Sequence, residues 1–447
     1  MTRCGMVRRN LFGLMVRYYG RSCRYSGAMR FEVRHTSGKG FRMAFAEIDI
    51  KSKTNRDVLK LLQRRWWGLT AVYLLTWLLF YTQLQKLMPA HANRWLFFSG
   101  LALTYVLWVA WQGLGENHRE GERDLLPTLG WGNGLTLLRG LAIGLVAGFL
   151  FSPWPQGGLA WLPVLLYTLA DVADYLDGYL ARITNHATQL GGRLDMEYDG
   201  LGMVVVSVLG VWYGQLPYWY LILGTARYWF VLGIWWRQRQ GRPINELHPS
   251  VHRRVFAGFQ MGFMSAVLWP IMPPIASIIA GTLFGIPTMV GFVRDWLVVS
   301  DRLDPTDPVY KKVQGWLVRL MRRWLPPILR IVLLICMGLM FGTLQNWIRP
   351  LPWQTLLDSW GVPIAAGLTS YLGISAWVAL FMMMVGALPR LMSLVIVFPI
   401  GFDIASQGIS WATGIGLGCA ICLMLLSSGP WSLWPVEERF IMRRAGE

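Results

Sequence analysis

The segment LAWLPVLLYTLADVADYLDGYLAR, residues 159–182, decides the fold of this chain. Its first half is an uninterrupted apolar run, and its second half carries aspartates at every third position. A helix needs about 20 predominantly apolar residues to cross the hydrocarbon core of a bilayer. The segment therefore predicts a membrane-spanning helix that ends in a group of carboxylates.

The composition of the whole chain extends this interpretation to all 447 residues. Hydrophobic residues make up 54% of the sequence and charged residues 15%, whereas soluble proteins usually carry about 25% charged residues. These values exclude a disordered chain, a collagen-like fibre and an ordinary soluble enzyme. The apolar residues form unbroken blocks rather than an alternating pattern, which argues against a β-barrel. We therefore predict an all-α, polytopic helical membrane protein.

About twelve apolar blocks are predicted as transmembrane helices. The pair Pro273–Pro274 divides one long apolar run into two of these blocks, because adjacent prolines break a helix. The block at 391–406 is short and could instead be re-entrant. The predicted spans lie near 67–87, 95–113, 133–153, 159–182, 195–215, 218–236, 254–273, 275–299, 325–346, 362–388, 391–406 and 408–428.

The basic residues are distributed unevenly between the two sides of the predicted membrane. The formal net charge is +18, and the loops at 237–254 and 300–324 are rich in arginine and lysine. The loops at 154–158, 216–217 and 273–274 contain neither residue. This bias places both termini and the basic loops in the cytoplasm, next to anionic lipid head groups. We therefore expect membrane lipid as the partner of the basic residues, and no nucleic acid.

Four aspartates concentrate negative charge beside the apolar blocks. The step from Asp174 to Asp177 and the step from Asp195 to Asp199 each place two carboxylates on one helix face. A short connection makes the two helices antiparallel neighbours, so the four carboxylates converge near the cytoplasmic membrane surface. Charges are costly at a membrane, so we expect cations among them.

The chemistry of this group favours divalent metal ions. Carboxylate oxygens without histidine or cysteine suit Mg²⁺, Mn²⁺ or Ca²⁺ better than zinc or copper. Four such ligands suffice for two ions about 3.5–4 Å apart, an arrangement that clamps phosphate oxygens in displacement reactions. The alternative is a set of ordinary loop-end carboxylates paired with Arg182 and Arg193, and the spacing of the whole set argues against it.

The aspartates belong to a longer motif. Residues 174–199 match the pattern D-x2-D-G-x2-A-R-x8-G-x3-D-x3-D without a departure. This pattern resembles the signature of the CDP-alcohol phosphotransferases, also called CDP-alcohol phosphatidyltransferases. Asn133-x2-Thr136-x2-Arg139 opens the preceding block and is similar to the start of the first helix in that family. The resemblance covers the six spans between 133 and 299, and leaves the first two and the last four spans outside it.

The resemblance implies transfer of a phosphoalcohol from a CDP-linked donor to an acceptor hydroxyl, with release of CMP. It implies that Asp174, Asp177 and Asp195 hold divalent ions, Mg²⁺ or Mn²⁺ and two in number, on the diphosphate of the donor. Asp199 would complete the metal site and act as the base, so Asp195 and Asp199 are the expected catalytic residues. The residues expected to bind CDP are Asn133, Thr136, Gly178, Ala181, Arg182 and Gly191.

Three further arginines are candidates for binding a phosphorylated acceptor. Arg227 lies within an apolar block, where a cation requires an anionic partner. Arg253 and Arg254 begin the next block on the cytoplasmic side. Together with Arg182 they could bind the phosphate of glycerol 3-phosphate or inositol phosphate. The alternative for Arg253 and Arg254 is a pair of arginines that extend to the membrane surface and bind no substrate.

The sequence also predicts how the chain is divided. A basic arm over 1–60 resembles a transit segment or an upstream extension before a start at Met43. The remaining regions are two extra transmembrane helices (61–115), the phosphotransferase core (125–300), a basic interfacial helix (301–324) and a C-terminal four-helix membrane region without a predicted role (325–447).

The leading hypothesis is an integral membrane enzyme that transfers a phosphatidyl group from CDP-diacylglycerol to a small polar alcohol in phospholipid synthesis. A small CDP-alcohol donor with a lipid acceptor would use the same aspartates. An ion-coupled transporter could use the cluster as its cation site, although the aspartates lie near one surface rather than at the midplane. A scaffold with an inactive transferase module is a third alternative, and a homodimer is one expected assembly.

Overall fold

The structure is a computed structural model, and it describes residues 38–245, 247, 251–341, 366–426, 429 and 432–434. Within these ranges the side chains are described except for 38–53, 251–254, 341, 366–370 and 372. The described residues are mostly helical, and they contain no β-strand beyond one isolated bridge between Ala387 and Trp434. The predicted all-α class is therefore confirmed.

The α-helices in the described ranges are numbered here α1 to α13. Each of the twelve predicted apolar blocks overlaps one of them within the described residues, and α9 lies within the predicted interfacial segment 301–324. Their bounds are α1 Gly38–Leu87, α2 Pro89–Gly113, α3 Gly130–Ala147, α4 Leu162–Ile183, α5 Gln189–Trp212, α6 Tyr220–Arg239, α7 Val251–Val267, α8 Pro274–Val299, α9 Pro308–Arg319, α10 Leu325–Phe341, α11 Ala366–Val385, α12 Pro389–Gln407 and α13 Trp411–Leu426.

Five segments of the described chain are long and apolar enough to cross a membrane, which agrees with an integral membrane protein. Other helices are shorter or more polar: α13 has 16 residues, and α5 carries several charged residues in its first half. The number of twelve spans therefore stays a prediction. The five segments are Pro89–Glu116, Gly157–Ile183, Pro274–Val299, Pro308–Met340 and Pro389–Gln407.

Prolines set several helix boundaries, as the sequence predicts. The helix before the Pro273–Pro274 pair ends at Val267, and α8 begins at Pro274. Proline fits the first turn of a helix because the amide that it lacks would have no intrahelical partner there. Helix α12 likewise begins at Pro389 and has 19 residues. It is long and apolar enough to span a bilayer, which argues against the re-entrant alternative.

Helix α9 begins at Pro308, inside the predicted interfacial segment 301–324, and continues into α10. Its start is fixed by the side chain of Asp307, which accepts a hydrogen bond from the amide of Val309 at 2.7 Å. It does not stop before the next span, because a π-helical turn at 320–324 joins α9 to α10. Its apolar residues, including Val309 and Val313, are exposed. One continuous helix thus carries both the amphipathic segment and the following apolar segment.

The chain divides into two compact units. Among the described residues, the first unit comprises those up to Leu209 together with Arg227–Trp235, and the second comprises Gly210–Ala226 together with those from Trp236 onward. The division falls inside α5 and α6. All four motif aspartates and the residues that contact them lie in the first unit.

Helix α3 packs along α4 in the first unit. Gly132 of α3 makes this contact close: a Cβ atom added there would lie 2.8 Å from the Cβ of Ala181 and 3.0 Å from the carbonyl oxygen of Asp177. A side chain at position 132 would therefore push the two helices apart. Because α4 carries Asp174 and Asp177, this close approach positions half of the carboxylate group.

Helix α5 packs against both α2 and α3. The hydroxyl of the fully buried Tyr198 donates a hydrogen bond to the carbonyl oxygen of Val106 at 2.9 Å. Gly140 of α3 faces the same side chains, since a Cβ there would lie 2.7 Å from Val106 and 2.8 Å from the Tyr198 ring. The extra helix α2 therefore contributes directly to the surroundings of the aspartate-bearing helix α5.

The second unit has α13 at its centre. This helix packs against α8, α10 and α12, and it is rich in small buried residues. A Cβ added at Gly416 would lie 3.4 Å from the Cβ of Cys336 on α10. Small residues let helix backbones approach closely in a membrane, where the hydrophobic effect does not drive association.

We predict that Gly132→Ala separates α3 from α4, whereas Gly134→Ala does not. The added methyl group at 132 meets atoms at 2.8 and 3.0 Å, while nothing lies within 4 Å of the corresponding position at 134. Overpacking of this kind costs about 1–3 kcal/mol. The apparent melting temperature of the detergent-purified protein should fall for Gly132→Ala only. Equal melting temperatures for the two variants would contradict this account of the α3–α4 contact.

Candidate active site

Three of the four motif carboxylates meet at one point in the structure. Asp174 and Asp177 lie on the C-terminal half of α4, and Asp195 lies on the N-terminal half of α5. One oxygen from each of these three side chains lies within 4.8 Å of the other two. The i,i+3 spacing on α4 and the antiparallel course of α5 produce this convergence. The group is a candidate site for a metal ion.

Arg139 of α3 lies at the centre of the carboxylates. Its Nη1 donates hydrogen bonds to Oδ1 of Asp174 and, at 3.0 Å, to Oδ1 of Asp195, and it lies 4.0 Å from Oδ2 of Asp177. Its Nη2 donates to the backbone carbonyl of Asp195 at 2.7 Å. The side chain is only 2% exposed. Arg139 is thus the buried cation that the four converging carboxylates require.

Asp199 is the fourth member and has a looser contact. Its Oδ1 lies 3.3 Å from Nη2 of Arg139, and this buried oxygen accepts no hydrogen bond from the described residues. A carboxylate oxygen without a hydrogen-bond donor is unfavourable in a buried position. Asp199 therefore retains an oxygen that a cation or the hydroxyl of a substrate could satisfy.

The charge of the group favours a divalent cation. One guanidinium group faces four carboxylates, so it can neutralise only one of four negative charges. Like charges this close repel one another strongly in a medium of low dielectric constant. The side chains of Asp174 and Asp195 are 27% and 45% exposed, so an ion can reach them. The all-oxygen donor set fits Mg²⁺ or Mn²⁺, which would share these carboxylates with Arg139.

Thr136 and Asn133, predicted to bind CDP, support neighbouring groups in the structure. The Thr136 hydroxyl donates to Oδ2 of Asp177 at 2.7 Å, which fixes the orientation of that carboxylate. The Asn133 amide donates to Oγ1 of Thr188 at 3.0 Å, and the same oxygen accepts a hydrogen bond from the amide of Gly191 at 3.1 Å. Both side chains are buried, so their observed contacts are to the protein itself.

The small residues of the motif have different surroundings from one another. Ala181 contacts Gly132, and Gly191 faces the side-chain oxygen of Asn133. Their small size is therefore explained by helix packing. Gly178 borders open space, because the nearest atom to an added Cβ is Nη1 of Arg182 at 3.4 Å. Of these three small residues predicted to bind CDP, only Gly178 borders space that a ligand could enter.

Arg227 of α6 has a carboxylate partner that the motif does not include. Its Nη2 lies 3.4 Å from Oε1 of Glu197, whose side chain is only 5% exposed. The Nε atom of Arg227 is buried and has no hydrogen-bond partner among the described residues. Arg253 and Arg254, the other predicted acceptor residues, have side chains outside the described residues.

Three residues of the site, Arg139, Glu197 and Tyr105, are not among those predicted from the sequence. The sequence does contain an indication for Arg139, since it is the last named residue of the Asn133-x2-Thr136-x2-Arg139 pattern. Glu197 lies between Asp195 and Asp199, two positions from each, which removes it from the face of the helix that they share. No sequence pattern indicates that Tyr105 contacts Glu197, because Tyr105 precedes it by 92 positions and lies in a helix outside the motif.

We predict that Arg139→Gln destabilises the protein most strongly in the absence of divalent ions. Removing one partner of a buried ion pair costs about 3–5 kcal/mol, and the partial exposure of Asp174 and Asp195 should reduce this to about 1–3 kcal/mol. The apparent melting temperature in EDTA should therefore fall, and Mn²⁺ should restore part of the loss.

The matched control is Lys60→Gln. Lys60 pairs with Asp57 at 3.8 Å on the surface, where both side chains are more than 70% exposed (74% and 78%). Such a pair adds little stability, so neither EDTA nor Mn²⁺ should distinguish this variant from the unaltered protein. A melting temperature of Arg139→Gln that does not respond to Mn²⁺ would contradict the shared site.

Residues 131–299 match the model of a protein family described as CDP-alcohol phosphatidyltransferase. The match includes all four aspartates and Arg139, and it confirms the resemblance drawn from the motif. This segment of the chain is thus a CDP-alcohol phosphatidyltransferase domain. Helices α1 and α2 and helices α9 to α13 lie outside it.

Curated relatives match parts of the chain. A protein of Mycobacterium tuberculosis, named provisionally as a cardiolipin synthase, is 26% identical over 136 residues, which are 30% of this chain and 63% of the relative. A CDP-diacylglycerol–glycerol-3-phosphate 3-phosphatidyltransferase of Cereibacter sphaeroides is 34% identical over 93 residues, which are 20% of this chain and 40% of the relative. The chain thus spans less than two thirds of the length of either relative. No solved structure gives a significant match.

Proposed function

We propose that this chain, with its CDP-alcohol phosphatidyltransferase domain at 131–299, transfers a phosphatidyl group from CDP-diacylglycerol to the hydroxyl of a small polar alcohol. CMP is the second product, and the reaction belongs to phospholipid synthesis. The observation that carries the proposal is the meeting of Asp174, Asp177 and Asp195 within 4.8 Å of one another, inside the segment that matches the family. The names of the relatives point to the same class of reaction.

The residues of the cluster have distinct proposed roles. Asp174, Asp177 and Asp195 would hold Mg²⁺ or Mn²⁺ through their carboxylate oxygens. When bound, such ions neutralise charge on the diphosphate during displacement at phosphorus. Thr136 keeps Asp177 oriented through its 2.7 Å hydrogen bond. Arg139 balances part of the negative charge when the substrate is absent.

Asp199 is the proposed base. The acceptor oxygen forms a bond to the phosphorus that carries the diacylglycerol group, and the bond from this phosphorus to the oxygen of CMP breaks. The proton of the acceptor hydroxyl passes to the Asp199 carboxylate, whose Oδ1 receives no hydrogen bond from the described residues. A base within hydrogen-bond reach of the hydroxyl lowers the barrier to attack.

A lipid donor is favoured over a small CDP-alcohol by the surface of α4. Apolar side chains that precede and flank the two aspartates of this helix are exposed, among them Leu165 at 62%, Leu169 at 43% and Val172 at 50%. These side chains present an apolar surface to the bilayer beside the carboxylates. Acyl chains of CDP-diacylglycerol could remain in the membrane along this surface while the diphosphate reaches Asp174.

Glycerol 3-phosphate is the favoured acceptor, and inositol phosphate is the second candidate. The name of the Cereibacter relative includes glycerol 3-phosphate, and the partly exposed guanidinium group of Arg227 lies next to Glu197, two positions from Asp195 and Asp199. Guanidinium groups bind phosphate strongly. Arg182, Arg253 and Arg254 remain further candidates for binding phosphate.

We also propose that the site faces the cytoplasm, as the positive-inside bias predicts. A homodimer remains one expected assembly.

The transporter alternative has weaker support. The two relatives described above are named as a synthase and a transferase, and the aspartates lie in the segment that matches an enzyme family. A transporter would bind cations at Asp174, Asp177 and Asp195 without releasing CMP from any donor. Measurement of CMP release therefore separates the two functions.

We predict that the detergent-purified protein releases CMP from CDP-diacylglycerol with Mg²⁺ or Mn²⁺ and one acceptor. The acceptors to be compared are glycerol 3-phosphate, inositol phosphate, inositol, serine and phosphatidylglycerol. Glycerol 3-phosphate should give the highest rate of CMP release, and EDTA should abolish CMP release with every acceptor. If a folded sample releases no CMP with any of these acceptors, the transferase assignment is wrong. The assignment is also wrong if CMP is released at the same rate with and without an acceptor.

We further predict that Asp195→Asn lowers the rate of CMP release at least a hundredfold, because it removes a charged ligand from the proposed metal site. The Asp195 side chain is 45% exposed, so the variant should still insert and fold. Asp57→Asn is the matched control, since Asp57 is 78% exposed on α1, and it should retain full activity. Full activity of Asp195→Asn would contradict the metal assignment.

A further inference from the structure

Glu197 is a buried carboxylate beside the site that the proposed reaction does not use. It lies on α5 between two motif aspartates, and its side chain is only 5% exposed. A buried carboxylate is costly unless it is hydrogen-bonded or paired with a cation. Both kinds of partner are present, because Tyr105 and Arg227 each contact one of its two oxygens.

Tyr105 reaches Glu197 from outside the segment that matches the family. Its hydroxyl donates a hydrogen bond to Oε2 of Glu197 at 2.8 Å. Tyr105 lies on α2, and the family match begins only at residue 131. Hydrogen bonds to a charged acceptor are stronger than those between neutral groups. The contact therefore fixes the orientation of the Glu197 carboxylate from a helix that the family domain does not supply.

Glu197 in turn determines where Arg227 can lie. Its Oε1 is 3.4 Å from Nη2 of Arg227, and the stem of the arginine passes close to α5, with Cδ 3.1 Å from the position of a Cβ at Gly200. Gly200 directly follows Asp199, so the guanidinium group is held beside the proposed base.

We infer that Tyr105 is a positioning residue that orients Arg227, through Glu197, for binding the phosphate of a phosphorylated polyol acceptor. The inference rests on the proposed function and deepens it. Glu197 contacts only Nη2 of Arg227 among the described residues, and the arginine side chain is 20% exposed, so the rest of the guanidinium group can meet a phosphate oxygen. The accessory helix α2 thus acts on acceptor binding, while the aspartate cluster acts on the CDP-linked donor.

The test compares Tyr105→Phe with the unaltered protein, using glycerol 3-phosphate as the acceptor. The variant removes only one hydroxyl group, and the loss of one hydrogen bond to a charged group should raise KM for glycerol 3-phosphate roughly three- to tenfold. Both kcat and the KM for CDP-diacylglycerol should change less than about twofold. The variant does not alter the aspartates, which are the groups proposed to act in the transition state. A fall in kcat with unchanged acceptor KM would overturn the inference.

Two further variants separate positioning from a general loss of structure. Glu197→Gln should raise the acceptor KM in the same direction, and Tyr105→Phe should add no further change in that background, since both act through one contact. Tyr81→Phe is the matched control: its hydroxyl donates to Asn93 at 2.8 Å on the exposed side of α1 and α2, and its kinetics should equal those of the unaltered protein. Additive effects of Tyr105→Phe and Glu197→Gln would overturn the inference.

A binding measurement distinguishes failure of the inference from failure of the proposed function. Glycerol 3-phosphate should raise the melting temperature of the unaltered protein, and Tyr105→Phe should require a several-fold higher concentration for the same rise. If this shift occurs but no acceptor supports CMP release, the proposed reaction is wrong and the assignment of Tyr105 to phosphate binding stands. If CMP is released normally but the concentration dependence is equal in both proteins, the assignment of Tyr105 is wrong.

Discussion

The contact between one buried arginine and four carboxylates is the interaction on which the rest of the first unit depends. Arg139 is 2% exposed and contacts aspartates from two helices, so it joins α3, α4 and α5 at one point. A single guanidinium group cannot neutralise the whole cluster. The remaining negative charge explains why a divalent cation would bind there, and why the same residues could then hold a diphosphate.

The helices around this cluster explain how it can be built at a membrane surface. Gly132 allows α3 and α4 to approach closely, and Tyr198 anchors α5 to α2. These contacts are helix-to-helix packing and hydrogen bonds, which are the interactions that associate helices in lipid. The family domain is thus supported by α2, a helix that precedes it. The same helix supplies Tyr105, so its role extends from support of the fold to the surroundings of the proposed acceptor site.

Much of the fold and part of the site could be predicted from the sequence. Apolar block length predicted the helices, and the spacing of Asp174, Asp177 and Asp195 predicted that their carboxylates would meet. The continuous helix from α9 to α10 was not predicted, because a π-helical turn has no clear sequence signal. The partner of Arg227 was also not predicted, since Glu197 contacts it from another helix. Contacts between distant helices, such as Tyr105 with Glu197, depend on tertiary packing that a single sequence does not reveal.

The most direct test of the central claim is the binding of Mn²⁺ to the detergent-purified protein, followed by electron paramagnetic resonance of the free ion. We expect the unaltered protein to retain Mn²⁺, and a variant with Asp174 and Asp177 both changed to Asn to lose this retention. We also expect added CDP-diacylglycerol to tighten the binding. Equal retention by the unaltered protein and the double variant would contradict the claim that these carboxylates, shared with Arg139, form the metal site.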